Sequence, residues 1–215
     1  MKTFIHHDFP HLDQINTDEG RTYSSINGDI MPSVTSVLKL VTKDSIDKWI
    51  EKVGIEEAER IQKKSSAFGT EIHSLCEQFL LTGKASPGIF EKEIFNKLEP
   101  VLDRIDNIHC LESRMYSPSL LVAGTVDCIG EFDGELSVID FKTSSKPKRN
   151  EWIENYWMQV SVYSLMFEEL FGITIPSLRI IIAVPDYGIQ LFVSKDREKW
   201  IDKFAYFRKQ YQILV

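Results

Sequence analysis

Two apolar runs separated by Asp133-Gly134 constrain the fold of this chain more than any other feature of the sequence. The runs are residues 124–132 and 135–143, and Asp-Gly between such runs is a strong short-range signal for a β-hairpin with a two-residue turn. In that hairpin the residues flanking the turn pair with each other, and pairing then proceeds one residue at a time along both strands. Asp127 and Asp140 are therefore predicted to face each other.

Facing carboxylates are unfavourable in an ordinary sheet, because like charges directly opposite each other destabilise strand pairing at a Cβ separation of roughly 4.5 to 5.5 Å. Lys142 follows Asp140 by two positions, so strand alternation returns it to the same face. An Asp-x-Lys triplet alone is more often a surface ion pair. With a second aspartate opposite, the pattern favours a divalent metal ion with oxygen ligands and a lysine beside it.

Apolar neighbours predict that both faces of this hairpin are buried. Ile129 and Val138 are expected on the carboxylate face, and Val126, Ile139 and Phe141 on the other. Buried charges require partners, which strengthens the expectation of a bound cation.

Composition sets the class of protein. With 215 residues and 43% hydrophobic content, the chain is expected to form a single domain, 1–215. No run approaches the ~20 apolar residues of a membrane helix. Residues 1–13 lack the residue order of a secretion signal and carry acid early, unlike a transit peptide, so a cytoplasmic location without membrane association is expected.

The three cysteines, Cys76, Cys110 and Cys128, are odd in number and not clustered, which predicts neither disulfides nor a zinc or iron–sulfur site. The net charge of −7 argues against general adhesion to nucleic acid. A local basic groove remains compatible with that charge. A monomer is the favoured assembly.

Hydrophobic spacing and turn signals predict an α/β fold, a mixed central sheet flanked by helices. The first 66 residues are expected to form an accessory layer of a hairpin and helices, on a core of residues 67–215. The predicted elements are a hairpin turning at Asn27-Gly28, a short helix through Leu40, helices 44–64, 68–81 and 89–108, a strand 110–116, the central hairpin, a helix 152–171, strands 178–184 and 189–193, and a helix 195–211.

Four motifs occur in one order along the chain: Gly69-Thr-Glu-Ile-His73, Gly124-Thr-Val-Asp127, Ile139-Asp-Phe-Lys142 and Gln159-Val-Ser-Val-Tyr163. With these motifs the chain resembles the PD-(D/E)XK nucleases, in their RecB-like exonuclease branch, from about residue 32 to residue 200. Pro32-Ser-Val-Thr35 and Trp49 are similar to the group that includes the mitochondrial genome maintenance exonucleases and phage-encoded relatives. The resemblance implies a restriction-endonuclease-like fold.

The resemblance also implies a metal-dependent DNA exonuclease that hydrolyses phosphodiester bonds in replication, recombination or repair. Mg²⁺ or Mn²⁺ is expected, held by Asp127, Asp140 and the backbone carbonyl of Phe141, with His73 completing or bounding the metal position. Lys142 is expected to orient or deprotonate the attacking water, or to stabilise the phosphate.

Supporting roles are predicted for four further residues. Gln159 and Tyr163 continue a helical stripe from Trp152 and Tyr156, and a glutamine in that stripe needs partners such as the lysine, the water or the DNA strand. Glu77, one turn after His73, and Glu112, on the preceding strand, are candidates to support the metal ligands. Solvent exposure is the alternative for both glutamates.

The predicted partner is DNA in single-stranded form, and the loop after the second hairpin strand is its first candidate contact. It carries Lys146, Lys148 and Arg149 and leads to Trp152, Tyr156 and Trp157, which offer a backbone-tracking patch with rings for base stacking. Ser33 and Thr35 near a helix start are candidates for a phosphate contact. A solvated charge run and ordinary helix capping are the plainer interpretations.

Three other functions stay open at this stage. A structure-specific flap endonuclease uses the same core with a different access route. A DNA-binding module that has lost catalysis would keep the fold, although the intact Asp127, Asp140 and Lys142 count against it. A ribonuclease of this fold differs only in substrate.

Overall fold

Two β-sheets organise the chain, for which a computed structural model describes residues 2–17 and 20–214. The smaller sheet has the order β1-β2-β3 and the larger one the order β4-β5-β6-β7-β8. The strands are β1 Leu12–Thr17, β2 Gly20–Ser25, β3 Ile30–Pro32, β4 Ile105–Ser117, β5 Val122–Phe132, β6 Glu135–Thr143, β7 Ser177–Val184 and β8 Gly188–Ser194. The helices are α1 Val34–Val53, α2 Ile55–Thr82, α3 Lys92–Leu102, α4 Glu154–Phe171 and α5 Arg197–Leu214, with a short 3₁₀ turn at Asn150–Trp152.

The larger sheet is mixed, because β6 and β7 pair in parallel and the other neighbouring strands pair antiparallel. Helix α4 lies between β6 and β7 in the chain and makes the crossover that a parallel pair requires. Apolar residues of α1, α4 and α5 pack on one face of this sheet, and those of α2 and α3 on the other. The predicted mixed sheet flanked by helices is confirmed.

The central hairpin forms at the predicted turn. Asp133 and Gly134 both have positive φ, 53° and 80°, as a type I′ turn requires. Pairing runs from Phe132 opposite Glu135 to Cys128 opposite Ile139, in the predicted register. Regular pairing ends there, one step before the position at which Asp127 and Asp140 would pair.

Strand alternation breaks at Asp127. Val126 packs in the same apolar cluster as Ile129 and Val138, while Cys128 lies in the cluster on the opposite face. The expectation that Val126 lies on the face opposite Ile129 is therefore wrong. The physical reason is a local irregularity of β5 between Val126 and Cys128, at the point where its regular pairing with β6 ends.

Several helix bounds differ from the spacing-based prediction. The predicted short helix continues as α1 to Val53, where Gly54, at a φ of 86°, separates it from α2. Helix α2 is continuous through residues 66 and 67, so the predicted border between accessory layer and core does not coincide with a helix end. The helix predicted to reach residue 108 ends at Leu102, because Ile105 and Ile108 are buried as residues of β4.

The smaller sheet is joined to β5 close to Asp127. The hydroxyl of buried Tyr23 shares a hydrogen bond with Thr125 Oγ1, with 3.0 Å between the oxygens. Ser33 forms an isolated parallel bridge with Ala123. These contacts fix β2, β3 and the start of α1 beside the strand that carries the first aspartate. Among the described residues, no helix combines the length and hydropathy that a membrane crossing requires.

Candidate active site

Three potential metal ligands from three elements converge beside the open end of the hairpin. Potential ligand atoms of His73 on α2, Glu112 on β4 and Asp127 on β5 all lie within 4.8 Å of one another. His73 Nδ1 is 3.6 Å from Asp127 Oδ2 and 3.8 Å from Glu112 Oε1. One nitrogen and two carboxylates at this spacing form a donor set for a divalent cation.

The end of regular pairing gives Asp127 its position. Its Oδ2 accepts a hydrogen bond of 2.8 Å from the backbone N–H of Phe141, which lies on the other arm of the hairpin. A side chain therefore replaces the strand pairing at this point. The contact joins Asp127 to the residue directly after Asp140.

Asp140 and Lys142 form an ion pair, with 2.5 Å between Nζ and Oδ2. The ammonium of Lys142 thus partners Oδ2, while Oδ1 has no hydrogen-bond partner among the described residues. The carboxylate is 1% exposed, so Oδ1 is a buried acceptor that a cation can satisfy.

Burial dominates the electrostatics of the two aspartates. Burial raises the pKa of Asp140 to about 6, with Lys142 acting in the opposite direction and Asp127 adding to the rise. Burial also raises the pKa of Asp127, against the influence of His73 and Lys142. Both carboxylates are therefore destabilised in their charged form, and a bound cation would favour that form.

For the two basic groups, His73 and Lys142, burial lowers the pKa and the nearby carboxylates raise it. Burial lowers the pKa of His73, but the carboxylates of Asp127 and Glu112 outweigh it and the net pKa is raised. Burial likewise lowers the pKa of Lys142, and Asp140 and Asp127 together raise it above its usual value. Lys142 is therefore charged at neutral pH and available to stabilise an anion.

A cleft of about 430 Å³ connects these groups to the smaller sheet and α1. The cluster contributes His73, Glu112 and Asp127 to its lining, and Lys142 lines it as well. The other residues that line it are Arg21, Tyr23, Ser33, Thr35, Leu38, Lys39, Thr42, Gly124, Thr125, Asn155, Tyr156, Gln159 and Tyr163.

Gln159 and Tyr163 both lie on α4 and line the cleft. Their spacing of four residues puts them on one face of the helix, as the sequence predicts. Gln159 Nε2 donates to the hydroxyl of Tyr163 over 3.5 Å, and both side chains are buried. Gly124 leaves room for that tyrosine, because a Cβ at residue 124 would lie 2.7 Å from Tyr163 Cε1. The glycine and the tyrosine of two separate motifs therefore meet in one contact.

The residues predicted to contact DNA divide into two groups. Ser33, Thr35 and Tyr156 line the cleft, and the ring of Tyr156 lies 5.3 Å from Lys142 Nζ. Ser33 also caps α1, since its Oγ accepts a hydrogen bond from the backbone N–H of Ser36. The plainer interpretation as a helix cap is therefore correct for Ser33, whatever else it contacts.

The second group lies outside the cleft. Lys146 and Arg149 are exposed, and the Arg149 guanidinium lies 5.1 Å from the ring of Trp152, which is 59% exposed. The backbone of Lys148 exchanges two hydrogen bonds with the side chain of Gln190. Trp157 is buried with its Nε1 donating to Asn150 Oδ1, so it is not available for base stacking.

The two glutamates have different outcomes. Glu77 is partly exposed and lies outside the ligand cluster. Glu112 is within the cluster, and its backbone has a φ of 46°, a strained conformation for a glutamate in a strand. The sequence made Glu112 a candidate to support the ligands but did not place it in the cluster itself, because its position depends on a register shift in the β4–β5 pairing between Asp106 and Cys110. Arg21, Lys39 and Asn155 also line the cleft without any local sequence signal.

Comparison with known proteins agrees with this site. Residues 107–203 match the family model of the PD-(D/E)XK nuclease superfamily. That span includes Glu112, Asp127, Asp140 and Lys142, while His73 precedes it.

Curated relatives carry a more specific name. Mitochondrial genome maintenance exonuclease 1 of Mus musculus is 28% identical over 160 residues, 66% of this chain and 47% of the relative. The protein of that name from Homo sapiens is 29% identical over 56% of this chain and 38% of the relative. The one from Xenopus tropicalis is 31% identical over 57% of this chain and 38% of the relative. The matched part of the chain thus covers less than half the length of each of these relatives. The resemblance predicted from the sequence is confirmed: on a five-stranded mixed sheet flanked by helices, the chain matches the PD-(D/E)XK nuclease superfamily over residues 107–203.

Proposed function

We propose that this chain is a metal-dependent deoxyribonuclease, an exonuclease that hydrolyses single-stranded or frayed DNA ends. The observation that carries the proposal is the ligand cluster of His73, Glu112 and Asp127, which lines one cleft together with Lys142. The ammonium of Lys142 is paired with the buried Asp140. The three relatives are named exonucleases, which supports the proposal that cleavage starts from a strand end.

The proposed residue roles follow from charge and position. A divalent ion such as Mg²⁺ or Mn²⁺, when bound, would polarise the scissile phosphate and lower the pKa of the attacking water. His73, Glu112 and Asp127 would hold it, with Asp140 and the Phe141 carbonyl as the additional ligands that the sequence predicts. Carboxylates suit Mg²⁺, and a histidine nitrogen is better tolerated by Mn²⁺.

Lys142 is the group proposed to act on the phosphate. Its ammonium, held by Asp140 at 2.5 Å, places a fixed positive charge where charge develops during hydrolysis. Gln159 and Tyr163 lie on the same cleft and would orient the water or the nucleotide. Residues 1–66 are proposed as the accessory layer that encloses this core.

The size of the cleft supports a single strand as the substrate. A volume of about 430 Å³ falls within the range of small-molecule sites, which leaves room for one or two nucleotides beside the ligand cluster. A duplex would have to fray before a phosphate reached Asp127. Tyr156 on the cleft wall offers a ring on which an unpaired base can stack.

The test compares Asp140→Asn with wild type on end-labelled linear single-stranded DNA. Each protein is first treated with a chelator, and Mg²⁺ or Mn²⁺ is then added. Cleavage should be abolished in the variant while binding of the same DNA in chelator is retained. Asp186→Asn, at an exposed turn between β7 and β8, is the matched control and should cleave as wild type does. Unchanged cleavage by Asp140→Asn would refute the assignment.

A circular single strand separates the rival enzyme from the proposed one. An exonuclease leaves the circle intact and shortens the linear strand progressively, whereas a flap or other endonuclease opens the circle. Wild type that binds DNA but cleaves nothing with either metal would be a silent binding module. An RNA strand of the same sequence tests the preference for DNA.

A further inference from the structure

The part of the cleft formed by β2 and α1, which we call the basic wall, carries two cations that no motif predicts. Arg21 on β2 and Lys39 on α1 both line the cleft. The carboxylates of Glu112 and Asp127 come from β4 and β5 and line the same cleft. The acidic and the basic side chains of the cleft are therefore contributed by different elements.

Hydrogen bonds fix the basic wall in position. Ser36 Oγ accepts from the backbone N–H of Arg21 over 3.0 Å and donates to its carbonyl over 2.9 Å, which ties β2 to the first turn of α1. Arg21 Nε donates to Asn16 Oδ1 over 3.3 Å, so the guanidinium is oriented. A wall held in this way can bind a ligand without first being ordered.

Lys39 lies close to the strand that carries Arg21. Its Nζ is 3.8 Å from the position that a Cβ of Gly20 would occupy, and Gly20 directly precedes Arg21. The absence of a side chain at residue 20 also lets the strand approach Ser36, whose Oγ would be only 2.8 Å from that Cβ. The packing of β2 on α1 thus brings both cations to the lining of one cleft.

We propose that Arg21 and Lys39 form a second phosphate subsite, which binds a non-scissile backbone phosphate of the strand that is being hydrolysed. This inference rests on the proposed nuclease function and names its substrate contact. Guanidinium and ammonium groups are the usual partners of DNA phosphates, and such contacts fix the register of the strand without reading its sequence. Binding at two points across the cleft would hold the scissile phosphate against the ligand cluster.

Salt dependence of binding provides the first test. Lys39→Gln and Arg21→Gln are compared with Lys48→Gln, an exposed lysine further along α1 that does not line the cleft. Affinity for a fluorescent single-stranded oligonucleotide is measured in chelator at several salt concentrations. Each lost phosphate contact should reduce the slope of log K against log salt by about 0.7. Lys48→Gln should keep the wild-type slope.

Charge-conserving variants distinguish this role from a structural one. Arg21→Lys and Lys39→Arg should keep the wild-type slope, because the charge is retained. In cleavage assays the glutamine variants should raise KM several-fold and leave kcat close to wild type. Slopes and KM values indistinguishable from those of Lys48→Gln would overturn the subsite.

Single neutral phosphates locate the contact. A methylphosphonate moved along the oligonucleotide should weaken binding of wild type at one or two positions away from the cleavage point. Lys39→Gln should lose that sensitivity at the same position, because the charge partner is already gone. Equal sensitivity in wild type and variant would contradict the inference even if cleavage is normal. Wild type that neither binds nor cleaves DNA would overturn the proposed function itself.

Discussion

The two ends of the β5–β6 hairpin treat their carboxylates in opposite ways. At the tip, Asp133 forms an ion pair with Arg104, with 2.5 Å between Oδ2 and Nη2. Glu135 forms ion pairs with Lys195 at 2.6 Å and with Arg179 at 2.7 Å. At the open end, Asp127 and Asp140 are buried, and Asp140 Oδ1 has no hydrogen-bond partner among the described residues.

The pKa values record this difference. The hydrogen bond from Arg104 lowers the pKa of Asp133, and that from Lys195 lowers the pKa of Glu135. Burial raises the pKa values of Asp127 and Asp140. A carboxylate whose pKa falls on folding stabilises the fold in its charged form, and one whose pKa rises destabilises it. Of the carboxylates with raised pKa values, Asp127 lines the cleft and Asp140 pairs with Lys142, which also lines it. This is the placement expected of functional rather than of structural charges.

The largest expected effect comes from the same substitution made at both ends. Asp127→Asn keeps the shape of the side chain but removes the charge facing His73 and a bound metal ion, so cleavage should fall by about 10³-fold. Asp133→Asn should leave kcat/KM at the wild-type value, because it changes only the turn and the ion pair with Arg104, and neither residue lines the cleft. Steady-state cleavage of a single-stranded oligonucleotide measures both.

The comparison between the two ends would fail on two results. One is an Asp127→Asn protein that retains more than a tenth of wild-type kcat/KM. The other is an Asp133→Asn protein that loses activity as strongly. Thermal unfolding of both variants shows whether either result is caused by misfolding.

Sequence predicted the tip better than the open end, and the reason is the range of the interactions. Asp133-Gly134 determines its turn through local backbone conformation, and the register follows up to Cys128 and Ile139. The irregularity at Asp127 depends on its contact with the Phe141 N–H and on β4, which a period-two pattern does not describe.

The same limit applies to the cleft. His73, Asp127 and Lys142 were predicted from motifs and lie together. Glu112 and the basic wall depend on strand order and on the packing of the smaller sheet, which are long-range features. Lys148 and Trp152 are close to β6 in sequence but lie outside the cleft, so sequence proximity was a poor guide to the proposed DNA surface.

The next largest effect is expected from alanine substitutions of two glycines, one at each end of the hairpin. Gly124→Ala at the open end would place a Cβ 2.7 Å from Tyr163 Cε1 and should force the tyrosine away from the cleft. Such overpacking costs about 1 to 3 kcal/mol of unfolding free energy, and displacement of an active-site side chain can lower the rate by about 10²-fold. Urea unfolding and single-turnover cleavage measure the two consequences.

Gly134→Ala at the tip is the matched variant. Its φ of 80° disfavours a side chain, so a loss of about 1 to 2 kcal/mol is expected from the backbone alone. Activity should be unchanged below the unfolding transition, since no described atom beyond residues 133–135 lies within 4 Å of that Cβ. Equal losses of activity in the two alanine variants would show that the ends of the hairpin are not functionally separate.

The smallest effect, a change in melting temperature, should come from removing Arg104, the ion-pair partner of Asp133 at the tip. Because hydrogen bonding to Arg104 lowers the pKa of Asp133 below 3.8, the pair stabilises the fold above that pH, and this contribution is lost as pH falls through the lowered value. Arg104→Gln should therefore unfold at a slightly lower temperature than wild type at pH 7. The gap should narrow in acid and also in high salt, since the pair is exposed to solvent. Melting curves of both proteins between neutral and strongly acidic pH measure this gap. A gap that stays constant over the whole range would mean that Arg104 acts through its packing on the Phe132 ring, 4.4 Å away, instead of through the charge of Asp133.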